Sequence, residues 1–256
     1  MDSITHNWAE HIAFGARSAH FPQSLAEVQE LVRAATKVRV VGARHSFNAI
    51  ADTDGTLISL RHLGRRIEID TVTRSATVDG GITYAELCLA LDAAGWALSN
   101  LASVPDFTIA GAVATATHGS GNANRNLAAC VAKLDLVTAA GDLVSLKRGD
   151  AGFDGAVVAL GALGLATSLT LDIVPQFAVR QDVYLDLPFA DVVANSDAVM
   201  GSAYSVSLFT HWAGDRVEQA WLKGRAASSP PASFFGGHPA TGPMSPVLCN
   251  DPSGTT

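Results

Sequence analysis

Two stretches of this sequence gather groups that could do chemistry. The first, Val38-Arg39-Val40-Val41-Gly42-Ala43-Arg44-His45-Ser46-Phe47-Asn48, is a β-rich run entering a glycine-started turn that presents an imidazole, a hydroxyl and a carboxamide together. A turn of this kind can aim consecutive N–H groups at a phosphate. One Gly and one His equally describe an ordinary β-turn with a surface histidine. The second stretch, SVPDFTIAGAVATATHGSG from Ser103 to Gly121, is almost free of large or charged side chains after Asp106. It reads either as a tightly packed small-residue helix or as a ligand cradle. In the cradle reading, the hydroxyls of Thr108, Thr115 and Thr117 and the bare backbone at Gly111, Gly119 and Gly121 let a ligand approach closely. Such a surface holds a pyrophosphate with donors rather than cations.

Other chemistries lack their residues. No GxxxxGK[ST] occurs and no GxGxxG follows a strand, so neither a Walker loop nor a Rossmann fingerprint is present. The eight His form no HxH or HExxH pattern, which argues against a metal site. No GxSxG presents a nucleophilic serine, and His45 and Ser46 are merely neighbours. The 256 residues carry 17 Lys and Arg against 24 Asp and Glu, a net charge of −7 with no basic run, which argues against a nucleic-acid partner. The longest apolar stretches, Ile109 to Ala116 and Ala156 to Ala166, are too short to span a bilayer. The N-terminus lacks a secretory pattern, so a cytoplasmic address is expected. Cys88, Cys130 and Cys249 form no CxxC pair and are expected to be reduced and mostly in the core.

The elements that must position these groups are partly visible. Ser24-Leu25-Ala26-Glu27 and Thr83-Tyr84-Ala85-Glu86 are capping boxes, each opening a helix that packs on a sheet. The second helix is expected to stop at Gly95. Short β-rich runs lie at 37–41, 56–60, 67–70, 75–79, 134–138, 143–147 and 168–173, with a hairpin turn at Ala140-Gly141-Asp142. The class is mixed α and β. Composition changes near Pro175, where a domain boundary is expected, and runs at 183–187, 205–210 and 219–223 follow. From about Ala226 the chain turns Ser-, Pro-, Gly- and Ala-rich, and residues 226–256 are expected to be an irregular tail. Trp96, Trp221 and the run Tyr204 to Trp212 read as packing.

Several motifs occur in a fixed order: Asn7-Trp8, VRVVGARHSFNAIADTDG, LASVPDFTIAGAVATATHGSG, GALGLATSLTLDIVP and AYSVSLFTHW. In these the sequence resembles the FAD-linked oxidases of the vanillyl-alcohol oxidase superfamily, above all the alditol and xylitol oxidases, relatives of the sugar-lactone oxidases. The resemblance implies an α+β fold: a two-subdomain PCMH-type FAD-binding domain over 1–175, then the start of an antiparallel-sheet substrate domain over 176–225. It implies FAD, with Val41, Gly42, Ala43, Arg44, His45, Ser46 and Phe47 wrapping the pyrophosphate and His45 bonded covalently to the flavin. Thr108, Gly111, Thr115, Ala116, Thr117 and His118 are implied cofactor contacts, Ile173 touches the flavin through its backbone, and Ser103 lies beside the substrate. The implied reaction oxidises a polyol CH–OH and reduces O2 to H2O2, with a D-arabinono-1,4-lactone-type substrate as the alternative. Relatives are longer, and the residues that take the substrate's proton belong to the part beyond this chain. No catalytic base is therefore named, and an FAD-binding fragment of little activity is the other implied reading. Where many relatives have GxGHS this chain has Gly42-Ala43-Arg44-His45-Ser46; Arg44 loses the freedom of glycine, a right-handed backbone would tolerate it and its positive charge would favour a phosphate, so the departure is not disabling.

Overall fold

The structure, a computed structural model, describes residues 4–225, 231–242 and 244. Its chain divides into two compact units, the first comprising residues 4–118 and 125–176 and the second 119–124 together with the described residues from Phe177 onward. The sequence does not signal that Gly119–Asn124 leaves the first unit. No described helix is long and apolar enough to cross a membrane.

The first unit begins with a small parallel sheet in which β1 (Ser18–His20) and β2 (Val38–Val40) flank β3 (Thr56–Ile58). Helix α1 (Leu25–Ala34) covers it with Val28 and Val32 fully buried. Its cap differs in one detail from a reciprocal box. Ser24 Oγ accepts from Glu27 N at 3.2 Å, but the Glu27 carboxylate accepts from Gln23 N at 2.7 Å, one residue earlier than the cap itself.

A five-stranded antiparallel sheet follows, made of β4 (Ile67–Asp70), β5 (Ser75–Asp79), β7 (Val131–Val137), β8 (Leu143–Lys147) and β9 (Leu165–Asp172), in the order β4-β5-β9-β7-β8. The two-residue strand β6 (Trp96–Ala97) pairs with β10 (Val174–Pro175). The β7–β8 hairpin turns at Gly141, whose φ of +78° suits a residue without Cβ. Helices α2 (Tyr84–Ala93), α3 (Ile109–Ala114) and α4 (Phe153–Val157) pack on this sheet around Leu87, Leu91, Ile109, Val113, Leu134 and Leu169. A full capping box opens α2. Thr83 Oγ1 accepts from Glu86 N at 3.3 Å and Glu86 Oε2 accepts from Thr83 N at 2.9 Å, worth about 1 kcal/mol. Gly95 ends it at φ +78°. Cys88 and Cys130 are free thiols half-buried against this core, and Cys249 lies outside the described residues.

The second unit is a four-stranded antiparallel sheet, order β12-β13-β11-β14, from β11 (Val179–Pro188), β12 (Ser205–Phe209), β13 (Arg216–Arg225) and β14 (His238–Pro239). Helices α5 (Phe189–Ala194) and α6 (Ser196–Met200) bury Val192 and Val199 against it. Residues 231–242 depart from the irregular tail expected of 226–256. Phe234 is buried against Tyr184, whose hydroxyl donates to Pro231 O at 2.6 Å, and β14 pairs with β11 through Tyr184 and Leu185. One buried aromatic ring fixes a segment whose composition carries no periodic signal. Residues 226–230, 243 and 245–256 of that stretch lie outside the described residues.

Candidate functional site

A cavity of about 840 Å³ opens in the first unit between the turn after β2, the glycine pair before α2, α3 and the segment leading into β9. That volume suits a large organic ligand. Val41, Gly42, Ala43, Arg44, His45, Ser46 and Phe47 all line it, as do Thr108, Gly111, Thr115 and Thr117. Two sequence segments far apart in the chain therefore meet at one place.

The turn is built to leave its donors free. Among the described residues, no protein group accepts from the backbone N–H of any residue from Gly42 to Phe47. The carbonyls of that turn are taken from the opposite side by the N-terminal arm: Trp8 N donates to Arg44 O at 2.8 Å and Asn7 Nδ2 to Ser46 O at 3.0 Å. Six consecutive N–H groups without a protein acceptor, on residues that all line the cavity, make this turn a candidate anion-binding surface. Arg44 does not take the right-handed backbone that would tolerate it most easily. Its φ is +68°, left-handed rather than right-handed. A left-handed residue among ordinary neighbours turns successive N–H groups toward one hollow, the geometry of a backbone nest, and that gain is set against a steric cost of about 1–2 kcal/mol.

Close packing explains the glycines. A Cβ on Gly42 would lie 2.2 Å from Thr108 Oγ1, and one on Gly111 2.7 Å from the same atom. The turn and the start of α3 thus share a single threonine hydroxyl as their contact. The expected small-residue helix is only six residues long, Ile109–Ala114, and it ends in a Schellman motif. Ala116 N donates to Val113 O at 3.2 Å and Thr117 N to Ala112 O at 2.9 Å, with Ala116 at φ +53° where glycine is usual. Thr115 Oγ1 donates to Gly111 O at 3.0 Å and lies 3.2 Å from Thr117 Oγ1, leaving a pair of hydroxyls at the wall.

His45 stands at the centre of an aromatic box. Trp8 stacks on its face with centroids 4.7 Å apart and planes 23° apart, and Phe107 meets it edge-on at 4.5 Å and 76°. Burial pulls its pKa below the usual 6.5, with Asp106 opposing and Arg44 reinforcing the shift, so the imidazole is neutral at pH 7. Further along the wall Arg65 pairs with Glu86 of the α2 cap.

Four of the candidate residues fall elsewhere. Ala116 and His118 flank the lining hydroxyls without lining the cavity themselves, and Ser103 is exposed on the loop before Asp106. Ile173 is buried in the core at 3% exposure, and its N–H donates to Arg74 O at 2.9 Å, so it is held by packing away from the lining. Sequence reasoning missed Trp8 and Phe107 as partners of His45, and Thr83, Glu86 and Arg65 as wall residues. Only the capping box gave a signal for any of these.

A parallel and an antiparallel sheet joined around a nest-lined cavity, followed by a second antiparallel unit, define a PCMH-type FAD-binding fold. The chain belongs to the FAD binding domain family, whose profile matches residues 17–147. It is 42% identical over 250 residues to alditol oxidase of Streptomyces sp. (strain IKD472 / FERM P-14339), covering 96% of this chain and 60% of that protein. It is 38% identical over 185 residues to L-gulono-1,4-lactone dehydrogenase of Mycobacterium tuberculosis, covering 71% of this chain and 43% of that one. Cholesterol oxidase from B. sterolicum shares the fold, with a TM-score of 0.77 at 18% identity over 90% of this chain and 48% of that chain. The chain thus spans 60% or less of the length of each of these relatives.

Proposed function

We propose that this chain binds FAD in the cavity, with the pyrophosphate on the N–H groups of Gly42–Phe47, and serves an oxidase that acts on the CH–OH group of an alditol. The observation that carries the reading is the run of six unaccepted backbone donors beside a neutral imidazole in one cavity. The residues present fit the group: a phosphate-sized anion needs converging donors and close backbone approach, and the turn supplies both without a Cβ at Gly42. When bound, FAD supplies a hydride acceptor and a route for the electrons to O2, giving H2O2.

The chain's own residues do the rest. Thr115 and Thr117 offer hydroxyls to the cofactor, and His45 is the covalent anchor: its neutral nitrogen keeps the lone pair that bond formation needs, and the new C–N bond would replace one C–H of a flavin methyl group, the proton leaving to solvent and the two electrons passing through the flavin to O2. Ala116 and His118 follow the same strip and Ile173 supports it from the core. Ser103 is the candidate for a substrate hydroxyl. No residue of this chain is assigned as the base. Likeness to alditol oxidase favours a linear polyol; likeness to the lactone dehydrogenase favours a sugar lactone as the second reading.

The visible spectrum of the purified protein, taken before and after acid precipitation, tests this. Yellow flavin retained in the pellet, and lost from it in His45→Ala, is the expected result. Protein that stays colourless after incubation with FAD would overturn the cofactor assignment.

A further inference from the structure

We propose that Trp8 is a positioning residue for His45, holding the imidazole in the orientation from which it bonds the flavin; the inference rests on the assignment of His45 as covalent anchor. Burial in the core does not account for Trp8, whose indole remains 59% exposed. The ring it covers is His45, at 4.7 Å and nearly parallel, while Phe107 closes a second side edge-on. An imidazole clasped on a face and an edge has little freedom about its own side-chain torsions, so the ring is held in one orientation at the cavity wall.

The arm that carries Trp8 is itself anchored for this. Asn7 is 3% exposed; its Nδ2 donates to Ser46 O at 3.0 Å and its Oδ1 accepts from Ile12 N at 3.1 Å. Trp8 N donates to Arg44 O, Arg44 Nη1 to His6 O at 3.1 Å, and the His11 ring lies 3.4 Å from Phe47 O. The arm therefore grips the carbonyl side of the turn on both sides of His45 while laying the indole over its ring. The charged and titratable groups around His45 are Asp106 on the segment before α3, Arg44 on its own turn, and the exposed His6, Glu10 and His11 on the arm. Removing the indole admits water to the ring, which favours the imidazolium and deprives the nitrogen of its lone pair at mildly acidic pH.

The test uses the 256-residue chain made flavin-free in riboflavin-starved cells, as wild type, Trp8→Ala and Trp8→Phe. Two quantities are measured: the rate at which added FAD becomes acid-stable across pH, and the titration of the His45 ring protons by NMR without flavin. Trp8→Ala is expected to attach flavin about twofold to tenfold more slowly, the loss of one stacked pair. Its low-pH limb and ring titration should move to higher pH, and Trp8→Phe should restore most of both. An unchanged rate and pH profile in Trp8→Ala would overturn the proposal. So would equal slowing in both variants with the ring titration unmoved, which marks a merely structural arm. Wild-type protein that binds FAD without ever attaching it would withdraw the covalent anchor alone, and the ring titration of Trp8→Ala would still decide whether the indole governs His45.

Discussion

Replacing Gly42 with Ala isolates the contact that joins the turn to α3. The φ of Gly42 lies outside the left-handed region, so the backbone itself accepts alanine. The obstacle is the Thr108 side chain, with Oγ1 2.2 Å, Cβ 3.4 Å and Cγ2 3.6 Å from the added methyl. Only the oxygen is impossibly close. Overpacking of this kind costs about 1–3 kcal/mol. Thr108 caps α3 without any side-chain hydrogen bond, so Thr108→Ala by itself costs little, within about 1 kcal/mol. In the Thr108→Ala background the methyl meets nothing nearer than 3.4 Å, and Gly42→Ala should become nearly neutral. The double-mutant cycle is thus expected to show a favourable coupling of about 1–3 kcal/mol. Urea denaturation of the four flavin-free proteins measures it. Equal costs of Gly42→Ala in both backgrounds would refute the account and assign the glycine to something other than Thr108.

Ala116→Gly relieves a left-handed alanine at the Schellman position and should stabilise the chain by about 1 kcal/mol, a melting temperature roughly 2–4 °C higher. Tyr84→Phe removes a hydroxyl that is buried without a hydrogen-bond partner; unfolding should show a neutral or stabilising change of up to about 1 kcal/mol, where a paired hydroxyl would cost that much. His45 has a folded pKa below 6.5, so the unfolded chain binds the extra proton first. Stability should therefore fall as pH drops through 6.5 and level off below the folded pKa, and His45→Gln should lose that part of the slope in pH-dependent melts.

Local rules carried the fold where an element is specified by its own residues. Thr83 and Glu86 announce α2 because each supplies the other's missing partner, and β4, β5 and β8 follow alternating runs bounded by turns. The site is different. Gly42 and His45 are visible as types, yet the nest depends on Arg44 adopting a conformation that arginine seldom takes, and the end of α3 depends on Ala116 doing the same. Neither residue carries a propensity signal for it. Trp8 reaches His45, and Asn124 reaches Tyr204 O at 3.0 Å, only through the folded chain. The Gly119–Asn124 excursion into the second unit is therefore invisible to any window along the sequence.

The way the cavity recognises an anion sets how FAD binding responds to salt. Of its arginines, Arg65 is paired with Glu86, while Arg61 is held over the Phe21 ring at 4.9 Å and Arg44 by its donation to His6 O. The chain as a whole carries −7, so its net charge gives a pyrophosphate no long-range attraction. The contacts expected to dominate are the oriented dipoles of six N–H groups, whose effect acts over a few ångströms and is little screened by salt. In His45→Ala, which keeps the cofactor exchangeable, raising NaCl from roughly 0.05 M to roughly 0.5 M should change the FAD dissociation constant by less than about threefold, or tighten binding slightly as the protein's own negative field is screened. Fluorescence titration reads this directly. Weakening by more than about tenfold would mean that arginine charge, not the backbone, holds the phosphates, because only an attraction between free charges decays that steeply with ionic strength.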